Sequence, residues 1–413
     1  MLDLKFIRQN VEIVKQGLKA KSSDFDLDHF LSLDEERRKI LLVVEELKAE
    51  RNKASDTIAK LKKENKDASD LLEQMKNIGT KIKALDDELA VKETEFKHLQ
   101  LLIPNMPNKE VPVGGADANK EVKVWGKKPE FSFEPKPHWD IAEDLDIIDF
   151  KRASKISGAG FILFKNWAAK LERVLINYML DIHTLKHGYT EVSPPFMVSG
   201  ATMTGTGQLP KLEKDMYKIE GEDLYLIPTA EVPVTNIFRN EVLEEKDLPS
   251  SFVAYTPCFR KVAGAYGKDT RGMIRVHQFD KVELVRFVNP EKSYQELELL
   301  LSHAEYILQS LGLHYRVLML ASGDMSFAAA KCYDIEVWAP GQNRYLEVSS
   351  CSNFEDFQAR RMSIKYKSKT KTELVHTLNG SGVALPRLVI ALLETYQQKD
   401  GTIKLPEVLQ KFI

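Results

Sequence analysis

Hydrophobic positions between Leu33 and about Ile103 recur at heptad spacing. With Leu33 at position a, the a positions are Leu33, Ile40, Leu47, Ala54 and Leu61, and the d positions are Arg37, Val44, Arg51, Ile58 and Asn65. A second frame starts at Leu71, with Ile78, Leu85, Lys92 and Leu99 at a, and Met75, Ile82, Leu89, Phe96 and Ile103 at d. The frames do not join through Asn65-Lys66-Asp67-Ala68-Ser69, whose residue types stop one helix and cap the next. The segment has no proline and one glycine, Gly79. The pattern predicts two long helices folded into an antiparallel coiled-coil hairpin, with a narrow apolar seam and charge on the other faces. The first helix is basic towards its far end, with Arg51, Lys53, Lys60, Lys62, Lys63 and Lys66 against Asp56 and Glu64. Such a run can touch phosphates, although a charge run alone is usually a solvated face.

After the hairpin the pattern breaks. Residues 104–137 are rich in Pro, Gly and Asn and read as a linker, which makes 1–103 an arm and 138–413 a second domain. In the latter, Gly160 to Lys186 has helical spacing. Strand-like runs follow: YTEVSPPFMV, LYLIPT, SFVAYTPCF, MIRVHQFDKVELVRF, HYRVLML, YDIEVWAP and RYLEVSS. They mostly adjoin one another and do not alternate with helices, which predicts an α+β antiparallel sheet and excludes a Rossmann arrangement. No GxxxxGK[ST] and no GxGxxG after a strand is present, so a nucleotide must be held by other means.

Composition narrows this further. The chain has 413 residues, 43% hydrophobic and 29% charged, which is enough for two or three domains. With 59 basic against 61 acidic residues the net charge is −2, so any nucleic-acid contact is a local patch. The three cysteines, Cys258, Cys332 and Cys351, show no CxxC spacing, which points to a reducing compartment and away from a zinc site. The N-terminus has no signal-peptide core and no run is long enough to span a membrane. A cytoplasmic location and no DNA or membrane partner are the expectation.

Four constellations carry candidate chemistry. In FRKVAGAYGKDTRG, Arg260 and Arg271 bracket a glycine-rich loop, far longer than a hairpin needs. Alternation puts Arg275, His277, Phe279, Lys281 and Glu283 on one face of the following strand, which is odd unless that face lines a polar cavity. Guanidinium groups match phosphate oxygens, and Phe279 could stack on a flat base. Second, Thr229-Ala230-Glu231 follows a strand, where an N-cap is the plainer explanation. Third, Glu347 sits in the strand RYLEVSS. One carboxylate and one hydroxyl suit Mg²⁺, but strict alternation pairs Glu347 with Ser349, so recruiting Ser350 needs a bulge or a strand end there. Fourth, Asn379-Gly380-Ser381-Gly382 reads as a turn before an amphipathic helix. Arg387 near that helix N-terminus opposes the dipole, which suggests an anionic ligand.

Together and in this order these pieces resemble the seryl-tRNA synthetases, a class II aminoacyl-tRNA synthetase family, over essentially the whole chain. Helix 160–186 with GYTEVSPPF looks like motif 1, the dimer-forming element. FRKVAGAYGKDTRGMIRVHQFDKVE looks like motif 2, and NGSGVALPR looks like motif 3. The TAE triplet, EVSSCSNFEDFQARR and the coiled-coil arm are similar to features of the seryl branch. Pro386 stands where glycine is also common and leaves Arg387 in place.

The resemblance implies a class II catalytic core carrying a tRNA-binding arm. It also implies ATP-dependent attachment of L-serine to tRNA(Ser) through a seryl-adenylate, extending to the selenocysteine tRNA where the organism has one. Arg260, Arg271 and Arg387 are the implied catalytic residues. ATP falls to Arg260, Lys261, Val262, Arg271, Val276, Phe279, Glu347, Val348, Ser349, Ser350 and Arg387. Serine falls to Thr229, Ala230, Glu231, Arg260, Glu283, Asn379 and Ser381, and Mg²⁺ to Glu347 and Ser350. His277 is expected to be structural. Which of Glu231 and Glu283 takes the serine hydroxyl stays open. The alternatives are an amino acid–carrier-protein ligase, which lacks the arm, a non-catalytic paralogue, which should have lost arginines or the triplet, and another class II synthetase, for threonine or proline.

Overall fold

A computed structural model describes residues 1–261, 271–410 and 412. It divides into two compact units. One comprises Leu2–Leu18 and Ser23–Ile103; the other comprises Met1, Lys19–Ser22 and Pro104–Ile413.

In the first unit, helix α1 (Leu27–Lys63) and helix α2 (Ser69–Leu102) lie against each other, as the heptads predict. Leu33, Val44 and Ile58 are buried on α1, Ile82 and Phe96 on α2, while Asn65 in the connection is exposed. Asp67 accepts from the Ser69 N–H, so the turn is capped where helix-stopping residue types cluster. The helix α1 starts six residues before the first heptad position, because Asp26 accepts from the His29 N–H and so caps it. The base is fixed by Phe30 stacked on Phe96 at 4.8 Å and by buried Asp34, which takes Arg8 at 2.7 Å and Arg37 at 3.1 Å. Charged pairs such as Lys48–Asp86 and Lys92–Glu36 bridge the two helices. Lys53, Lys60, Lys62, Lys63 and Lys66 are exposed.

The second unit is built on an eight-stranded sheet. Its strands are β1 (Lys120–Trp125), β2 (Thr190–Glu191), β3 (Ser250–Phe259), β4 (Gln278–Val288), β5 (Tyr315–Met319), β6 (Lys331–Ala339), β7 (Arg344–Asn353) and β8 (His376–Ala384). The spatial order is β1-β5-β6-β7-β8-β4-β3-β2, antiparallel except for the β2–β3 pair. Helices α3 (Asn166–Asp181), α4 (Ser293–Ser310) and α5 (Leu385–Tyr396) cover one face. Val282 and Leu284 of β4, Leu378 of β8 and Ile335 of β6 point into that core. The residues alternating with them open onto the other face, where the cavity lies. Among the described residues no helix is long and apolar enough to cross a membrane.

Four expectations need correction. Residues 104–137 are not an unstructured linker: β1 pairs with β5, and the Asn105 amide donates to the carbonyls of Ala328 (2.9 Å) and Phe354 (2.8 Å). The short apolar alternation of KEVKVW is enough for an edge strand, and the bulge between Glu121 and Lys123 suits an edge. The motif 1 helix begins at Asn166: a short helix ends at Ser157, and Gly158 and Gly160 then adopt positive φ in a turn that separates the two. The strand after the arginine loop begins at Gln278, so Arg275 and His277 precede it. Finally, Asn379-Gly380-Ser381-Gly382 is no turn: β8 continues through it into α5, with a bulge against β4 between Ser381 and Val383. The glycines are needed for packing. A Cβ at Gly380 would overlap Leu300 of α4, and one at Gly382 would lie 2.9 Å from His183 Nε2.

Candidate active site

On the open face of the sheet lies a cavity of about 740 Å³. It is walled by β4, β7 and β8, the start of α5, and the segment around Thr229. Its floor follows from strand alternation. Phe279, Lys281 and Glu283 of β4 and Asn379 and Ser381 of β8 face into it.

At the nucleotide end, Arg260 follows β3. Its Nε donates to the Pro228 carbonyl at 3.2 Å, and its guanidinium carbon stands 5.2 Å from the Phe279 ring centre. A cation beside an open aromatic face can hold a phosphate while the ring takes a base. The backbone of Arg260 is pinned by His277, which accepts its N–H at the carbonyl (2.8 Å) and touches its carbonyl through Nδ1 (3.1 Å). His277 in turn stacks on Phe161 at 5.2 Å and meets the Tyr217 hydroxyl at 2.9 Å. It therefore holds Arg260 in place and does not line the cavity. Lys261 and Val276 do line it. Val262 lies outside the described residues.

Arg387, in the first turn of α5, donates to the Glu347 carbonyl at 2.6 Å and reaches its carboxylate at 3.4 Å. Between Glu347 and Ser349 the register of β7 against β6 shifts by a bulge. That is the irregularity Ser350 required. Glu347, Val348 and Ser350 line the cavity, while Ser349 turns inward and donates to the Ser381 carbonyl at 2.6 Å. Ser349 is thus corrected to a support of the strand that carries Ser381. Two other candidates are not brought to the cavity. Arg271 is 68% exposed, 3.4 Å from Asp140 and 4.9 Å from the Trp139 ring. Ala230 is buried in an apolar cluster with Val234, Val285 and Phe287, as its small side chain allows.

The amino-acid end is a buried polar network. Thr229 accepts the Glu231 N–H at 3.2 Å, but the cap of the short helix Glu231–Thr235 is Ala230, so Thr229 precedes the cap and takes its place in the cavity wall. Glu283 accepts from Asn379 at 3.1 Å and is ion-paired with Lys281, which also donates to Thr229 at 2.7 Å. Glu231 accepts from the Gln358 amide at 2.7 Å, and Gln358 is itself held by Thr377 at 2.8 Å. Among the described residues no lysine or arginine bonds Glu231. Burial, then the nearby Glu283, push its carboxyl up to about 7. Gln358 and Asp334 were not singled out from sequence, and Lys281, placed by alternation on the cavity face, was given no role there. Asp334 lines the cavity opposite Ser350, and burial and Glu347 raise its carboxyl above the usual range. The alternation that places Lys281 in phase with Glu283 is borne out: both face the cavity.

Comparison with known proteins places this geometry. The family described as seryl-tRNA synthetase N-terminal domain matches residues 1–107, and that described as tRNA synthetase class II core domain (G, H, P, S and T) matches residues 214–396. The serine–tRNA ligase of Syntrophobacter fumaroxidans is 58% identical over 100% of this chain and 98% of its own. A crystal structure of seryl-tRNA synthetase from Pyrococcus horikoshii complexed with ATP superposes with a TM-score of 0.93 at 38% identity, covering 100% of this chain and 98% of that one. The cytoplasmic serine–tRNA ligase of Naegleria fowleri in complex with AMP gives 0.87 at 29% identity, covering 100% and 97%.

Proposed function

The chain belongs to the seryl-tRNA synthetases, an enzyme family that attaches serine to tRNA with ATP, and from that premise we propose how its residues divide the reaction. In the first step a serine carboxylate oxygen attacks the α-phosphorus of ATP, the bond to the bridging oxygen breaks, and pyrophosphate leaves. In the second, a terminal ribose hydroxyl of tRNA attacks the activated carbonyl and AMP leaves. Neither step needs a side-chain nucleophile. Positioning and charge stabilisation carry them.

Arg260 grips the α-phosphate and the incoming carboxylate, with adenine on Phe279 and its edge against the backbone near Val276. Arg387 takes the outer phosphates, releasing Glu347, and Arg271 joins it by leaving Asp140. Glu347 and Ser350 fit Mg²⁺: they are hard oxygen donors on one cavity wall, few enough to leave places for phosphates and water. Bound there, the ion would neutralise charge on the phosphates.

One observation carries the serine assignment: among the described residues Glu283 is ion-paired with Lys281, whereas Glu231 takes its hydrogen bond from the neutral Gln358 amide. The substrate brings one ammonium and one neutral hydroxyl. The ammonium goes to Glu231, and the hydroxyl donates to Glu283 with Ser381 beside it. Losing Glu283 then removes the reader of the hydroxyl, while losing Glu231 weakens every α-amino acid alike. Serine is expected to exceed alanine by roughly 10⁴-fold in kcat/KM for adenylate formation in the intact protein. Glu283→Ala should lower that ratio by two orders of magnitude or more, and Glu231→Ala should leave it nearly intact while raising both KM values. The reverse pattern would exchange the two assignments.

The arm supplies contacts to tRNA(Ser), and to the selenocysteine tRNA where one exists, through backbone and shape. The reaction takes place in the cytoplasm. The unit containing α3 and the chain up to Pro195 assembles as a homodimer. A monomer by light scattering at micromolar concentration, with full charging activity, would contradict the assembly.

A further inference from the structure

The ion pair at the floor of the serine seat is built from a lysine that none of the assigned roles uses. Lys281 is 6% exposed and lines the cavity. Its ammonium donates to Thr229 Oγ1 at 2.7 Å and pairs with Glu283 Oε2. A buried cation within an amino-acid site is costly and is poor evidence of a stabilising role. It also stands where a substrate ammonium must be admitted. Its place is explained if it sets what Glu283 can accept.

We propose that Lys281 is a specificity-determining residue that acts through Glu283. Paired with Lys281, the carboxylate can take a hydrogen bond from a neutral hydroxyl but cannot seat a second cation. The inference rests on the assignment of Glu283 to the hydroxyl given above. The charges then balance group by group: Arg260 with the serine carboxylate, Glu231 with its ammonium, Lys281 with Glu283, and the hydroxyl uncharged. The groups around Lys281 agree. Glu283 comes from its own strand, Cys258 and Arg260 from β3 and its end, and Thr229 and Glu231 from the segment opposite. Without Lys281, two buried carboxylates would face one substrate, and a side-chain ammonium would be welcome at the second.

The discriminating substrate is 2,3-diaminopropionate, which replaces the serine hydroxyl with an amine on the same carbon skeleton. ATP–pyrophosphate exchange is measured with serine, with the diamine as substrate and competitor, and with ATP binding as a check on folding. In the intact protein the diamine should inhibit poorly when doubly cationic. Its inhibition constant, taken relative to the serine KM at the same pH, should fall as pH rises and it loses its first ammonium proton. Lys281→Met should raise the serine KM and lower the preference for serine over the diamine by about 100-fold, while Lys281→Arg, which keeps the charge, should retain the preference. If Lys281→Met loses both substrates in proportion, or if the relative inhibition of the intact protein is flat with pH, the inference is overturned. Should Lys281→Met not fold, the pH series on the intact protein decides alone. Failure of the underlying assignment is seen separately, as an unchanged serine-to-alanine preference in Glu283→Ala.

Discussion

Removing the distal part of the coiled coil should leave serine activation nearly unchanged and lower tRNA charging by about 10³-fold or more, the loss expected when a protein gives up several phosphate contacts. The structure says where to cut. Phe30 on Phe96 and the Asp34–Arg37–Glu93 ion pairs close the base of the hairpin, and Lys48 faces Asp86 farther out. Deleting residues 42–88 and joining the ends with a short flexible turn therefore keeps the base layer and removes the basic stretch from Arg51 to Lys66. The cavity is lined wholly by residues between Thr206 and Arg387, so no catalytic group is lost. Charging by the intact protein should weaken steeply with salt, and residual charging by the deletion should not. Two assays on one variant decide it. If pyrophosphate exchange and charging both survive, the arm is not the reader of tRNA. If both fail in a folded protein, the arm supports the catalytic unit and the two are not separable in function.

Arg260→Ala should lower adenylate formation by about 10²-fold or more with the fold retained. The guanidinium is held beside Phe279 by the Pro228 carbonyl, and its backbone is fixed by His277, so it is positioned before any ligand arrives. Preorganised charge of this kind, aimed at phosphate oxygens, contributes on the order of 3 kcal/mol or more, about 10²-fold in rate. Pyrophosphate exchange is the readout, with thermal unfolding as the control. Near-normal exchange in a folded variant would remove Arg260 from the mechanism.

Much of this was legible in the chain, for reasons that differ from element to element. The heptads of α1 and α2 are legible because a narrow seam forces one residue type at one spacing, and the buried positions Leu33, Val44, Ile58, Ile82 and Phe96 all fall on it. An irregularity in β7, a bulge or a strand end, could be anticipated because Glu347 and Ser350 cannot share a face of a regular strand; it is a bulge. Local composition misled where packing overrode it. Asn379-Gly380-Ser381-Gly382 has the residues of a turn, yet it is a buried strand because Leu300 and His183 approach too closely for side chains. The strand KEVKVW was hidden by the prolines and glycines around it. Gln358, and the part Lys281 plays, were invisible for another reason. Their partners Glu231 and Thr229 lie 127 and 52 residues away, and no local pattern records such a distance. Arg271 shows the converse: its motif placed it among the phosphate ligands, whereas here it rests on Asp140 and Trp139.

The central claim is that this cavity selects serine by its hydroxyl and activates it with ATP. The measurement that meets it most directly is ATP–pyrophosphate exchange by the intact protein across the amino acids, without tRNA. Serine should support exchange, with alanine lower by roughly 10⁴-fold, for want of a hydroxyl to donate to Glu283, and threonine excluded less sharply by crowding. Exchange with alanine comparable to serine, or none with serine in a folded protein that binds ATP, would contradict the account.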